Sequence, residues 1–265
     1  MKGLLKMKKN TIVKLITVIL AVAAMTSVVT ACAKKTTSED YTYKTDISGV
    51  KEILDTDDEK YLKLVNKKNT VAEDYAPEKL GKVKTEYTFG GKNVELEESV
   101  VKAAEAMIAE MRADGIKDVY VTSGFRTYAY QKSLFDRYCN EERAANSDLT
   151  EEQIKEKVLS YSAAPGTSEH QTGLCMDLMT TEMENLWNYG SETPNNPYDK
   201  GFAETEAFEW LKTNAHRFGF ILRFPEDKTK VTGYAYESWH YRFVGINAAT
   251  EIYNEGITLE EYLEK

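Results

Sequence analysis

Helical and extended hydrophobic periods alternate along the chain from residue 96 to the C-terminus. Val100, Val101, Ala104, Met107, Ile108 and Met111 recur at helical spacing and predict an amphipathic helix over 96–113, ended by Asp114-Gly115. Lys117–Ser123 reads as a strand and Thr127 to about Asn140 as a helix. A further helix over 150–161 has Thr150 at its start and acids in its first turn. Leu174–Met179 predicts a strand, 203–217 a helix, 219–223 a short strand and Trp239–Val244 another strand. Two short helices follow at 246–254 and 258–264. Upstream, 49–66 carries a short helical pattern, whereas 70–94 has no sustained period and holds Pro77 and the turn signal Gly90-Gly91. Strands set apart by helices and long irregular stretches point to an α+β fold rather than a doubly wound parallel sheet. No repeat and no internal linker interrupts a single domain over 58–265.

The first 31 residues follow a different pattern. Five lysines and no acid precede or flank an uncharged apolar run from Leu15 to Ala31, 17 residues long. That is short for a membrane span and suits a secretory leader. The run ends Val29-Thr30-Ala31-Cys32, which resembles a bacterial lipobox and implies lipidation at Cys32. An ordinary signal peptide and an uncleaved anchor are the alternatives. Residues 1–31 are therefore expected to be a lipoprotein signal peptide and 32–57 a lipidated Cys with a tether or N-terminal extension. Lys34–Asp40 reads as solvated, and the mature protein as extracytoplasmic and membrane-anchored.

Composition narrows the function classes. The chain has 265 residues, 42% hydrophobic and 29% charged, with a net charge of −9. Without the leader 29 basic residues face 43 acidic ones, a balance of −14. Such a chain lacks the clustered cations that phosphate neutralisation needs, so nucleic acid is excluded as a partner. Three Cys are too few for a disulfide scaffold. Cys139 and Cys175 fall in different predicted elements and are either a pair or two buried free thiols.

Asp177 is the lone charge in Leu174-Cys175-Met176-Asp177-Leu178-Met179. A carboxylate in a buried strand is costly unless paired or bound to a cation. Seven residues upstream, His170 lies in a turn-rich stretch that could present its imidazole at the mouth of that strand. His240 is a candidate third ligand, and Glu237 precedes it by three residues in the loop expected to enter the last strand. Three N/O ligands with an open water position suit catalytic zinc, and a nearby carboxylate outside the ligand set suits a base. The absence of His-Glu-x-x-His excludes the thermolysin-type arrangement. His216, near a helix C-terminus, reads as structural or capping. Arg126 at a helix start is either a solvated cation or, with the helix-end N–H groups, a receptor for a carboxylate.

Three stretches together resemble the VanY-type D-alanyl-D-alanine carboxypeptidase family of zinc peptidases. They are Ser-Gly-Phe-Arg-Thr-Tyr at 123–128, Pro-Gly-Thr-Ser-Glu-His-Gln-Thr-Gly-Leu at 165–174 with Asp177, and Glu-Ser-Trp-His-Tyr-Arg at 237–242. Cys175, where a small residue such as Ala is common, and Phe125, where Tyr is common, depart from the family pattern. The resemblance implies a compact α+β domain with zinc on a central antiparallel sheet. It implies zinc held by His170, Asp177 and His240, Glu237 as catalytic base, and substrate contacts from Arg126, Gln131 and Ser168. The activity implied is removal of the terminal D-Ala from peptidoglycan stem peptides. With the lipobox reading, the protein is expected to be a monomer tethered to the membrane through its lipid. The alternatives are an L,D-carboxypeptidase acting on tetrapeptide stems and a non-catalytic cell-wall-binding lipoprotein.

Overall fold

A four-stranded antiparallel sheet carries the residues singled out above. In the computed structural model, which describes residues 35–181, 183 and 201–265, its strands are β3 (Tyr120–Ser123), β4 (Cys175–Met179), β5 (Phe220–Phe224) and β6 (Glu237–Phe243). Their order across the sheet is β3-β4-β6-β5, so the two histidine-bearing segments meet at its centre. A two-stranded ribbon of β1 (Leu80–Lys82) and β2 (Glu95–Glu97) leads into helix α1 (Glu98–Ala113). The other principal helices are α2 (Tyr128–Ala145), α3 (Glu151–Leu159), α4 (Glu206–Asn214), α5 (Ile246–Glu255) and α6 (Leu259–Leu263). The fold is α+β, as the periodicity predicts.

The apolar stripe of α1 packs into the main core. Val100, Ala104, Met107, Ile108 and Met111 are buried with Leu178 of β4, Phe220 of β5 and Tyr241 and Phe243 of β6. Removing that much apolar surface from water anchors one side of the sheet on α1. A separate small cluster of Cys139, Ile154 and Val158 joins α2 to α3.

Part of the stretch read as solvated, Lys34–Asp40, and the segment that follows it up to residue 57 are bonded to the domain. Ser38 is buried, and Tyr41 Oη lies 2.8 Å from Thr250 Oγ1. Tyr43 Oη donates to the Arg217 carbonyl at 2.9 Å. The buried Glu110 carboxylate of α1 accepts the backbone N–H groups of Lys44 and Thr45 at 2.8 and 2.9 Å. Two aromatic rings and a carboxylate needing donors hold the strap on the domain. The helical pattern over 49–66 yields single turns at Lys51–Leu54 and Glu59–Leu62. At the end of the second turn the Tyr61 and Lys63 carbonyls are taken by Arg242 Nη2, at 2.9 and 2.7 Å. The apolar run of the leader and Cys32 lie outside the described residues. Among the described residues no helix is long and apolar enough to cross a membrane.

Candidate active site

Strand register brings the site residues together. Asp177 of β4 pairs with His240 of β6 on one side and with Ser123 of β3 on the other. Both neighbours are irregular at this level. Val121 pairs with Leu178 but Ser123 with Asp177, so β3 carries an extra residue. Leu222 pairs with Tyr241 but Phe224 with Glu237, so β6 carries two extra residues there. Bulges of this kind re-aim side chains beside functional sites. On a regular strand Glu237 and His240 would face opposite ways. Here Glu237 begins β6 instead of lying in the loop before it, and its Oε2 stands 3.6 Å from His240 Nδ1.

His170 reaches the site from a 3-10 turn, Glu169–Thr172, that ends at Gly173 in the left-handed region with φ +67°. Only glycine turns there without strain, and a Cβ would come within 2.9 Å of the Glu97 nitrogen. Gly124 has a different requirement: a Cβ would meet the Glu95 carbonyl at 2.3 Å. That close approach lets the Gly124 carbonyl accept from His170 Nδ1 at 2.6 Å, which leaves Nε2 to face the site. The Arg126 N–H donates to the His170 carbonyl at 3.1 Å and ties the two loops together.

Asp177 is the hub. Its Oδ2 lies 2.8 Å from Arg126 Nη2 and 3.3 Å from His170 Nε2, and its Oδ1 lies 3.0 Å from His240 Nδ1. The rings of His170 and His240 meet edge to face with centroids 5.0 Å apart. Cys175, two residues before Asp177 on the same face of β4, joins them: its Sγ and one nitrogen of each histidine lie within 4.8 Å of one another. Burial raises the Asp177 carboxyl, but the two histidines and Arg126 outweigh it and hold the group well below the usual carboxylate range. Burial and Arg126 lower His170, yet Asp177 and Cys175 bring it up to about 9. Glu237 behaves oppositely: burial dominates, and its carboxyl is pushed up to about 7.

Arg126 is partly exposed and is further held by Ser123 Oγ at 2.7 Å from Nη2. Gln131 is buried in the first turns of α2, its Nε2 donating to the Ala163 carbonyl at 2.8 Å beneath the loop that carries Ser168. Gln131 Oε1 has no hydrogen-bond partner among the described residues. Ser168 is buried at the start of the 3-10 turn. His216 stands apart, stacked on Tyr253 at 4.0 Å and 7°. Cys139 and Cys175 are both buried free thiols.

Behind the site lies a group that the sequence does not announce. The Glu169 carboxylate accepts from Arg223 Nε at 2.8 Å and from Arg242 Nη1 at 2.6 Å. Glu260 takes the other side of Arg223 at 2.6 and 2.8 Å. Both guanidinium side chains are fully buried. Glu169 Oε2 lies 3.6 Å from His240 Nε2, and neither atom has a hydrogen-bond partner among the described residues. This places a carboxylate behind an imidazole whose other nitrogen faces Asp177, the relation that orients metal-binding histidines. Arg223 and Arg242 interrupt apolar strand sequences just as Asp177 does, and that interruption is the signal by which they could have been found.

Zinc fits these residues: buried imidazole, carboxylate and thiol donors converge, with a spare carboxylate alongside. Such donors on an antiparallel sheet, with a carboxylate left over, define an α+β domain able to hold a metal ion and a water beside a base. A family model described as VanY, D-alanyl-D-alanine carboxypeptidase, matches residues 93–246. A D-alanyl-D-alanine carboxypeptidase of Enterococcus faecalis is 36% identical over 200 residues, covering 76% of this chain and 64% of that relative's length. The solved vancomycin-resistance D,D-pentapeptidase VanY in complex with Zn(II) is 35% identical with a TM-score of 0.60, over 77% of this chain and 99% of that one. The LdcB LD-carboxypeptidase structure is 33% identical with a TM-score of 0.61, over 76% and 85%. The chain belongs to the VanY D-alanyl-D-alanine carboxypeptidase family.

Proposed function

We propose that the protein is a carboxypeptidase that removes the terminal D-Ala from peptidoglycan stem peptides outside the cytoplasmic membrane. In this reading residues 1–31 are a leader, Cys32 carries a lipid, and residues 58–265 with the docked strap form the catalytic unit. His170, Asp177 and His240 hold the zinc, His170 through Nε2 and His240 through Nδ1, since Nδ1 of His170 is committed to Gly124. When bound, zinc supplies Lewis-acid polarisation of the scissile carbonyl and acidifies a water. Glu237 takes the proton of the attacking water and passes it to the amine of the departing D-Ala. Arg126 receives the substrate's terminal carboxylate, supported by its exposure at the mouth of the site and its anchoring on Ser123. Ser168 and Gln131 complete the substrate-facing wall.

The observation that carries the reading is Glu237, a carboxyl pushed up to about 7 by burial and poised 3.6 Å from His240. A site that only held a structural metal would have no use for it. Glu237→Gln is expected to retain zinc by metal analysis while losing several orders of magnitude in turnover. Parallel loss of zinc would make Glu237 a ligand and overturn the assignment.

A second reading, L,D-carboxypeptidase action on tetrapeptide stems, is favoured by the likeness to LdcB, whose TM-score of 0.61 matches that of VanYB in complex with D-Ala-D-Ala. The terminal residue is D-Ala in both readings. The difference lies in the residue before it, so paired pentapeptide and tetrapeptide substrates separate them.

A further inference from the structure

We propose that Cys175 is a metal ligand of this chain, giving the zinc centre a thiolate donor beside His170 and His240. The inference rests on the metal reading above. Sγ of Cys175 and a nitrogen of each histidine lie within 4.8 Å of one another, and all three residues are buried. β4 sends Cys175 and Asp177 to the same face, so the thiol enters the floor of the site and not the opposite core. It is not needed to fill a disulfide, because Cys139 sits in the separate α2–α3 cluster.

The neighbouring donor is already engaged. Asp177 is held by Arg126 Nη2 at 2.8 Å as well as by the two histidines. An arginine bonded to a ligand carboxylate draws off part of its electron density, whereas the neighbours that Cys175 Sγ faces are the two histidine rings themselves. An Ala at this position would leave Asp177 as the donor that this face of β4 offers. Cys175 therefore converts a nitrogen and oxygen site into one with a soft donor, which favours thiophilic ions such as Cd2+ and strengthens zinc binding. With Asp177 the protein donors number four, and a place for water is opened by expansion to five-coordination, as catalytic zinc sites permit.

The test uses the full chain with Cys32→Ser and Cys139→Ala, so that Cys175 is its single thiol. One equivalent of Co2+ is added to the chelated protein and the absorption spectrum is recorded. A thiolate-to-cobalt charge-transfer band in the near ultraviolet is expected beside the visible ligand-field bands, and Cys175→Ala in the same background is expected to keep the latter and lose the former. Competition against a chromophoric chelator is expected to show zinc affinity falling on that substitution by more than the about 10–100-fold that loss of a partner behind a ligand brings. Ligand-field bands without the charge-transfer band would overturn the inference and leave the zinc site standing. Failure to bind Co2+ at all would instead remove the metal reading on which it rests. Since the parent protein's own spectrum decides the question, a poorly folded Cys175→Ala would not leave it open.

Discussion

Replacing Glu169 by Gln perturbs the buried support of the site while changing its shape hardly at all. The carboxylate neutralises two buried guanidiniums, at 2.8 Å from Arg223 and 2.6 Å from Arg242. Burial pushes its carboxyl up, but those two cations outweigh burial and hold it well below the usual range. Removing one partner of a buried ion pair costs about 3–5 kcal/mol. Arg223 keeps Glu260, Arg242 keeps the Tyr61 and Lys63 carbonyls, and the Gln amide oxygen can still accept from both, so the lower end, about 3 kcal/mol, applies. For a domain of this size each kcal/mol shifts Tm by about 2–4 °C, so a drop of about 6–12 °C is expected. Circular-dichroism melts of the chelated proteins measure it. The same substitution takes the anion away from His240 Nε2, 3.6 Å distant, and is expected to weaken zinc binding by about 10–100-fold. The wild-type group contributes stability that is present above its unfolded pKa near 4.5 and is lost as pH falls from there toward its depressed folded value. Glu169→Gln removes that part of the acid sensitivity. An unchanged Tm together with unchanged zinc affinity would refute the buried network as the support of the site.

Arg126→Ala and amidation of the substrate's C-terminus are each expected to lower kcat/KM by about two to three decades, and together by much less than the product, because both remove one interaction. Equal cleavage of free-acid and amidated peptides by the wild type would contradict the proposed clamp. His216, brought down to about 4 by burial and secondarily by Arg217, stays neutral in the fold but charges on unfolding below 6.5. Its contribution to stability is present above pH 6.5 and lost as pH falls toward 4, so His216→Phe, which keeps the stack on Tyr253, is expected to flatten the Tm–pH curve of the chelated protein over that range. A curve of unchanged steepness would show that the ring is charged in the folded state.

Much of the fold was legible because its elements carry strong periods. The helix over 96–113 appears as Glu98–Ala113, and the strand at 174–179 as Cys175–Met179. The short ribbon of β1 and β2 was not, since three-residue strands in a stretch without periodicity leave no pattern to read. Asp177 could be singled out because a lone carboxylate in an apolar strand demands a cation. Glu169 could not, because it lies in a polar turn sequence and nothing local says that it faces inward onto two arginines. Cys175 reads as a small apolar residue of its strand, and its nearness to both histidines emerges only when β6 pairs with β4 and sets His240 opposite Asp177. The placement of Glu237 depends on two extra residues in β6, which a period of two along the sequence cannot foretell. Lys34–Asp40 reads as solvated, yet Tyr41, Tyr43 and the donors that Glu110 requires pull the strap at 36–57 onto the domain.

The most direct test of the central claim is mass spectrometry of purified muropeptides incubated with the protein, with and without a zinc chelator and with zinc restored. Loss of a single C-terminal D-Ala from pentapeptide stems, abolished by the chelator and recovered with zinc, is the result expected. Release of D-Ala from tetrapeptide stems alone would assign the L,D activity instead. Unaltered stems with zinc fully bound would contradict an enzymatic role.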